Sequence, residues 1–508
     1  MEQKKTGSAE AGRKGSDGLE ADYSVTNQAG PDGPVLDPAL NTIPQNVASV
    51  HLTAVCGTAM GALAAVLKEK GIHVTGSDAN VYPPMSTFLA GKKIPVTEGF
   101  SADNPAYGPD LVVIGNAVRR DNPEVATVAG KRIPYCSMPQ AVSRFLVEDR
   151  KAVVVTGTHG KTTTSAMIAW LLFEGGVDPS FLIGGILGNF HSNYRTGSGG
   201  WAVLEGDEYD TAFFDKKAKF FHYPPDTAIV TSVEFDHADI FDNLAHIRSA
   251  FDEFLSGMDP GARLIAFDGD ETVRGLVAGR NVRIEMYGTD GTSMWQIGEH
   301  WQDFPYNGFE VIRDGRLFGR FRMKMPGAHN RCNALAAVAA AAGAGLPADV
   351  IARGLETFSG IRRRQEIRGV KNGVLVLDDF AHHPTAVTHT VAAVREFYPD
   401  AGLFAVFEPR TNTSMRSVFQ TVYPECFYGA DTICIRKPPL LEKIPEDIRF
   451  SSEQLVQDLA ERGADAHFFH DTEAIVSFVA GRARPGDVVL VMSNGGFDNI
   501  HERLLAAL

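Results

Sequence analysis

Lys161 and Thr162 follow two glycines in the run "VVVTGTHGKTTT". A β-branched apolar stretch ends at Val155, Gly157 and Gly160 let main chain approach a ligand closely, and Lys161-Thr162 opens a helical pattern. That order places free N–H groups and the positive end of a helix dipole against whatever enters the loop, so an anion is favoured on two counts. A conventional Walker A loop begins with glycine where this chain has Val155; here the first glycine comes late, at Gly157, giving the shorter cradle G-x-x-G-K-T. The chemistry this permits is triphosphate binding. Lys161 can place a point charge on the β and γ phosphates, the Thr162 hydroxyl can ligate magnesium, and Thr158, His159 and Thr163 complete the candidate nucleotide contacts. The competing reading is a plain strand-turn-helix with a solvated lysine.

A hard divalent cation held with ATP needs carboxylate oxygens close by. "VLEGDEYD" supplies Glu205, Asp207, Glu208 and Asp210 at the end of an apolar strand, with Glu205 the candidate metal ligand. "SVEFDHADIF" ends a second strand in Glu234, Asp236, His237 and Asp239, where His237 suits a second magnesium or manganese position. Further along, Asp378-Asp379 closes the strand "VLVL" and His382-His383-Pro384 leads into a helix, an acid and an imidazole placed to reach a nucleotide. Arg362 to Arg364 could clamp phosphates or form a solvated turn, and Arg410 stands at another strand end.

These residues need a frame that brings strand ends together. "SVHLTAVCGTAMGALAAVLKEKGIHVTGSDA" reads as a βαβ unit, with "DLVVIGNAV" as a third buried strand. Gly57 and Gly61 do not spell GxGxxG, but Asp78 lies about 20 residues after Gly57, where an acid meets a ribose hydroxyl; a glycine turn with a surface aspartate is the alternative. Two further α/β units follow, without internal repeat. Open sheets bind ligands beyond the carboxyl ends of their strands, where the motifs fall.

Composition sets limits. A chain of 508 residues with 44% hydrophobic residues divides into several cores, and a formal charge of -14 disfavours nucleic-acid and anionic-membrane partners. Five scattered cysteines without metal-ligand spacing fit unpaired thiols in a reducing compartment. No run reaches the roughly 18 apolar residues of a membrane helix, and the Gly-, Ser- and charge-rich N-terminus has no secretory apolar core, so a cytoplasmic protein with a flexible tail is expected.

Taken in order, "TGTHGKTTT", "EGDEYD", "EFDHADIF", "GAHNRCNALAA", "DDFAHHPT" and "FEPRTNT" closely resemble the motifs of the Mur ligase family, ATP-dependent amide-forming enzymes of peptidoglycan synthesis, whose short phosphate loop this is. The resemblance covers about residues 49 to 507. It implies an α/β fold of three domains after a disordered tail (1–46): a Rossmann-like N-terminal domain (47–148), a central P-loop ATPase-type domain (149–358) and a Rossmann-like C-terminal ligase domain (359–508). It further implies ATP with Mg2+ (or Mn2+), Lys161, His237 and Arg364 as catalytic groups, and Thr162, Glu205 and His237 at metal. Asn330, Asn333, Asp379 and His382 would join the loop in holding nucleotide. UDP-N-acetylmuramate would lie against Gly57, Thr58, Met60, Gly61, Ser77, Asp78 and Asn116, with Arg410 also facing substrate. Several family members carry a carbamylated lysine past the histidine; "NLAHIRSAFDEF" has none. Within the family, "EYDTAFFDKKAKF" and "VMSNGGFDNIH" resemble the branch that joins UDP-N-acetylmuramate to a murein tripeptide, L-alanyl-γ-D-glutamyl-meso-diaminopimelate, with the L-alanine-adding branch as alternative. A monomer without nucleic-acid or membrane partners is expected. A nucleotide-binding switch leaves the acidic clusters unused, and an NAD-linked oxidoreductase lacks its fingerprint.

Overall fold

Each α/β unit forms its own sheet in the computed structural model, which describes residues 33–236, 241 and 243–508. The first sheet has five parallel strands in the spatial order Val96–Glu98, His73–Asp78, Ser49–Thr53, Leu111–Ile114, Tyr135–Ser137. Val50 pairs with both Val74 and Leu111, so the first strand is central and the strand order reverses beside it. That reversal opens a crevice at the strands' carboxyl ends, and Gly57 starts the helix Thr58–Glu69 there. The stretch from residue 33 to 46, expected as tail, packs along this domain instead. Leu36 is buried, and the Asn41 Nδ2 donates to the Tyr135 carbonyl at 3.2 Å. An apolar leucine and a side chain that caps a strand end give this stretch something to bury.

The central sheet has ten strands, with Lys151–Thr156 between Thr227–Val230 and Trp201–Gly206, parallel to both. Its parallel middle is buried on both faces, as the unbroken apolar runs require. Three strands, Trp295–Asp303, Tyr306–Arg313 and Arg316–Met323, extend one side as an antiparallel meander that the sequence reading passed over. The signal for it was Asp314-Gly315, both at positive φ (50° and 72°), the turn chemistry of a tight hairpin. The alanine-rich run forms most of the helix Ala328–Gly343, which packs with Lys161–Glu174 and Ala348–Thr357 on one face. On the other face a single apolar core joins Leu63 and Leu67 of the first domain to Leu204, Phe220 and Phe251 of the second.

The third sheet runs Glu366–Lys371, Val374–Asp379, Val488–Met492, Leu403–Phe407, Thr432–Arg436, Ala466–Phe469, parallel except for its first edge strand. Helix Pro384–Phe397 has proline in its first turn and His383 as N-cap, both signs of a helix start. Among the described residues no helix is long and apolar enough to cross a membrane, and all five cysteines are free thiols.

Candidate active site

The phosphate loop is shaped by its two glycines and by the strand beside it. Gly157 sits at φ 125° and Gly160 at φ 79°, conformations that L side chains rarely adopt. A Cβ on Gly157 would lie 2.2 Å from Thr231 Oγ1, and one on Gly160 would lie 2.4 Å from Asn333 Oδ1. Neighbouring main chain fastens the loop: Thr158 N donates to the Ser232 carbonyl at 2.9 Å and His159 N to Ser232 Oγ at 3.0 Å. The loop therefore keeps its form through the protein's own bonds, and helix Lys161–Glu174 points its N-terminus into it.

Lys161 is buried, and its Nζ donates to Glu208 Oε2 at 2.7 Å and to the Gly157 carbonyl at 2.7 Å. Burial alone would lower its pKa, but the carboxylates of Glu208, Asp207 and Glu205 reverse that and hold it above the ordinary lysine value. It is cationic at any working pH. The Thr162 hydroxyl donates to Glu205 Oε1 at 2.9 Å, while Gly184 N donates to Glu205 Oε2 at 2.7 Å. A hydroxyl and a carboxylate, both hard oxygen donors, thus stand together beside the loop, a donor set suited to Mg2+.

A cleft of about 1140 Å3 opens between these groups and the C-terminal domain. The helix Ala328–Gly343 brings Asn330 and Asn333 to its wall; Thr164 Oγ1 donates to Asn333 Oδ1 at 3.3 Å, and Asn330 Nδ2 donates to Gln365 Oε1 at 3.0 Å. Across the cleft, Asp379 accepts from Gln365 N at 2.8 Å and Ala381 N at 2.7 Å. Burial raises its pKa, opposed by Arg364. The arginine run divides by role: Arg363 spends its guanidinium on the carbonyls of Ser493, Asn494 and Gly495, at 2.7, 3.2 and 2.6 Å, whereas Arg364 lines the cleft over the Phe380 ring. His382 also lines it, its Nδ1 donating to the Phe380 carbonyl at 3.0 Å. His237 and Asp239 lie outside the described residues.

The cleft's two sides touch at the loop. Thr385 Oγ1 donates to Glu234 Oε2 at 2.6 Å, His159 Nε2 lies 3.5 Å from the same oxygen, and His383 Nε2 donates to the Phe235 carbonyl at 3.2 Å. Burial favours the neutral acid of Glu234, but His159, Thr385 and His383 outweigh it and hold the carboxyl down at about 2. His383 is pushed down to about 4, by burial first and then by His159. It is therefore neutral, with Nδ1 accepting from Thr385 N at 3.3 Å, and its 3.8 Å contact with Glu234 is not an ion pair. Sequence reading names His383, His159 and Glu234 separately but does not bring them together, and it does not single out Thr385. Nor did it find His329 and His389, whose rings stack at 5.6 Å in the cleft, because their approach joins two domains.

A pH prediction follows from His383. Between its unfolded value near 6.5 and the folded value of about 4, the unfolded chain binds a proton that the folded chain refuses, so stability present above 6.5 is lost as pH falls. A shift of that size amounts to about 3 kcal/mol. His329, pushed down to about 3 by burial and then by His389, acts in the same direction. His383→Asn keeps a cap and an amide donor without a titrating ring, and its Tm should fall less steeply from pH 6.5 to 4 than that of the parent. Equal slopes would remove His383 as a source.

The remaining expected site residues lie elsewhere. Gly57, Thr58, Met60, Gly61, Ser77, Asp78 and Asn116 surround the carboxyl ends of the first sheet rather than the cleft. Asp78 accepts from Cys56 N at 2.8 Å and Asn80 N at 3.0 Å, so it braces the glycine turn. A Cβ on Gly61 would lie 2.3 Å from Met85 Cε, the movable end of a flexible side chain, so the helix start here packs closely against Met85. Arg410 is outside the cleft lining and pairs with the buried Glu408 at 3.6 Å.

Comparison with known proteins matches all three units of the chain. Family models match in three blocks: Mur ligase family, catalytic domain, at residues 49–150; Mur ligase middle domain at 155–341; and Mur ligase, glutamate ligase domain, at 363–495. The chain is 42% identical over 462 residues, 90% of its length and 98% of the other's, to a protein of Escherichia coli K12 named UDP-N-acetylmuramate:L-alanyl-γ-D-glutamyl-meso-2,6-diaminoheptandioate ligase. It is 36% identical to a Haemophilus influenzae protein of the same name, over 90% of this chain and 99% of that one. The crystal structure of a murein peptide ligase from Psychrobacter arcticus superposes with a TM-score of 0.66 at 33% identity, covering 91% of this chain and 98% of the other. Three family blocks spanning most of the sequence, with relatives at 42% and 36% identity over 90% of its length, lead to one conclusion: the chain belongs to the Mur ligase family.

Proposed function

We propose that this enzyme joins UDP-N-acetylmuramate to L-alanyl-γ-D-glutamyl-meso-diaminopimelate at the expense of ATP, in the recycling of peptidoglycan. The observation that carries the reading is the convergence of Lys161, Thr162 and Glu205 on one side of the cleft with Arg364 and Asp379 on the other. Amide formation from a carboxylate needs activation, because an ionised carboxylate is a poor acyl donor with no good leaving group. The lactyl carboxylate of the sugar attacks the γ phosphorus of ATP, an O–P bond forms, the bond to the β-phosphate oxygen breaks, and an acyl phosphate results. Lys161 and Arg364 neutralise charge gathering on the phosphoryl group, each worth roughly 3 kcal/mol when well placed. Thr162 and Glu205 would hold Mg2+, which when bound would draw charge off the phosphate oxygens. The peptide's free amine, once deprotonated, attacks the acyl carbon; the tetrahedral adduct collapses to the amide and expels phosphate. Asp379, His382 and the helix Pro384–Phe397 cover the nucleotide from the third domain and keep water from the acyl phosphate. The crevice of the first sheet, braced by Asp78, receives the UDP group. ATP as substrate and five free thiols suit the cytoplasm.

The test is product formation from UDP-N-acetylmuramate, ATP and Mg2+ with either the tripeptide or L-alanine as amine. We expect kcat/KM for the tripeptide to exceed that for L-alanine by at least about tenfold, a difference of roughly 1.4 kcal/mol in transition-state binding. Comparable or better turnover of L-alanine would replace the tripeptide assignment, and ATP binding without amine-dependent phosphate release would reduce the protein to a nucleotide switch.

A further inference from the structure

The helix Pro384–Phe397 of the C-terminal domain is held by the central domain at both ends, and the two attachments differ in chemistry. Its N-terminal end meets the phosphate loop through Thr385, Glu234 and His159, groups at the edge of the reacting centre. Its C-terminal end meets the tip of the central meander, which takes no part in the chemistry. There Gln302 Nε2 donates to the Glu396 carbonyl at 2.7 Å, and the Phe304 ring stands 5.4 Å from Phe397 and 6.2 Å from Tyr398, centroid to centroid. Arg331 joins the two sides from beneath. Its Nη1 donates to Asn307 Oδ1 of the meander at 3.1 Å and to Glu396 Oε1 at 3.0 Å. Arg331 is buried and shares a helix with Asn330 and Asn333 of the cleft wall. Phe304 at the hairpin tip is 70% accessible, and the covered part of its ring lies against Phe397 and Tyr398 of the next domain.

We propose that the meander tip and Arg331 form the pivot of the C-terminal domain, with Arg331 and Phe304 as positioning residues for the ligation. A fixed foot at the far end of the helix sets where its loop end, carrying Thr385 with Asp379 and His382 just before it, lies over the nucleotide. Without the foot, the domain covers the acyl phosphate part of the time and water reaches it. This inference rests on the ligase reading of the same cleft.

The experiment compares the wild-type enzyme with Phe304→Ser and Arg331→Met by measuring phosphate released and amide formed in the same reaction. For both variants we expect ligation to fall about tenfold, KM for UDP-N-acetylmuramate to stay within about twofold, and phosphate per amide to rise from one to two or more. A merely structural loss of active enzyme would lower both products together and leave their ratio at one. Arg331→Lys, which keeps a cation toward Glu396, should recover part of the coupling. Should Arg331→Met fail to fold, Phe304→Ser decides, because its ring is mostly solvent-exposed. A ratio of one in folded Phe304→Ser would overturn the pivot. If the wild-type enzyme makes no amide, the ligase reading fails instead; the distance distribution between labels on the two domains then judges the pivot, broadened in Phe304→Ser if it holds and unchanged if it does not.

Discussion

Replacing Lys161 with methionine is expected to lower ligation by roughly a thousandfold or more, a loss of about 4 kcal/mol in transition-state stabilisation. Methionine keeps the stem that fills the buried site and deletes only the charge. The ammonium has two tasks. In this structure it faces Glu208, 2.7 Å away and 3% exposed; in the proposed reaction it faces the phosphoryl oxygens. Removing one partner of a buried pair costs about 3 to 5 kcal/mol because the other charge stays behind, so Lys161→Met should also lose thermal stability. Lys161→Met combined with Glu208→Gln separates the tasks: the neutral amide relieves the buried charge, and Tm should recover while activity does not. Activity of Lys161→Met within about threefold of wild type would take the loop out of the mechanism, and the proposed activation step with it.

Glu205→Gln is expected to raise the Mg2+ concentration for half-maximal rate about tenfold or more and to lower kcat about a hundredfold. Glutamine preserves the side chain's length but loses the charge that binds a hard cation. It also disturbs the present geometry, in which both carboxylate oxygens accept, one from Thr162 Oγ1 and the other from Gly184 N. An amide offers one acceptor and one donor in place of two acceptors. A change in kcat with an unaltered Mg2+ titration would assign Glu205 to loop shape rather than to metal. Glu208→Gln is the comparison, since Glu208 faces Lys161 and should leave the Mg2+ requirement nearly unchanged.

Much of the frame is legible in the chain. Runs such as "AVVVT" and "VLVL" can be satisfied only by strands buried on both faces, and His383-Pro384 marks a helix start by cap chemistry and fixed φ. Strand, glycine turn and helix follow within a few residues, so the loop is written locally. The meander was missed because its strands carry charges on an open face, as in "IGEHWQDF", and lack a continuous apolar signature. Within the arginine run, residue type could not distinguish Arg363 from Arg364. The left-handed turn at Arg363 and Gln365 (φ 61° and 51°) points one guanidinium at the Ser493–Gly495 carbonyls and leaves the other in the cleft.

The amino-acid order by itself determined the three α/β units, the anion-binding bend at Gly157–Thr162 and the family to which both point, because periodicity, caps and turns act over a few residues. Tertiary structure alone decided that Glu208 meets Lys161, that Thr385 reaches Glu234, and that Phe304 rests on a helix of another domain. Those partners are 47, 151 and 93 positions apart (397 − 304 for the last), and they meet only when sheets bury their faces and domains dock. Burial also sets which charge wins, holding Lys161 cationic and His383 neutral where residue type leaves either state open.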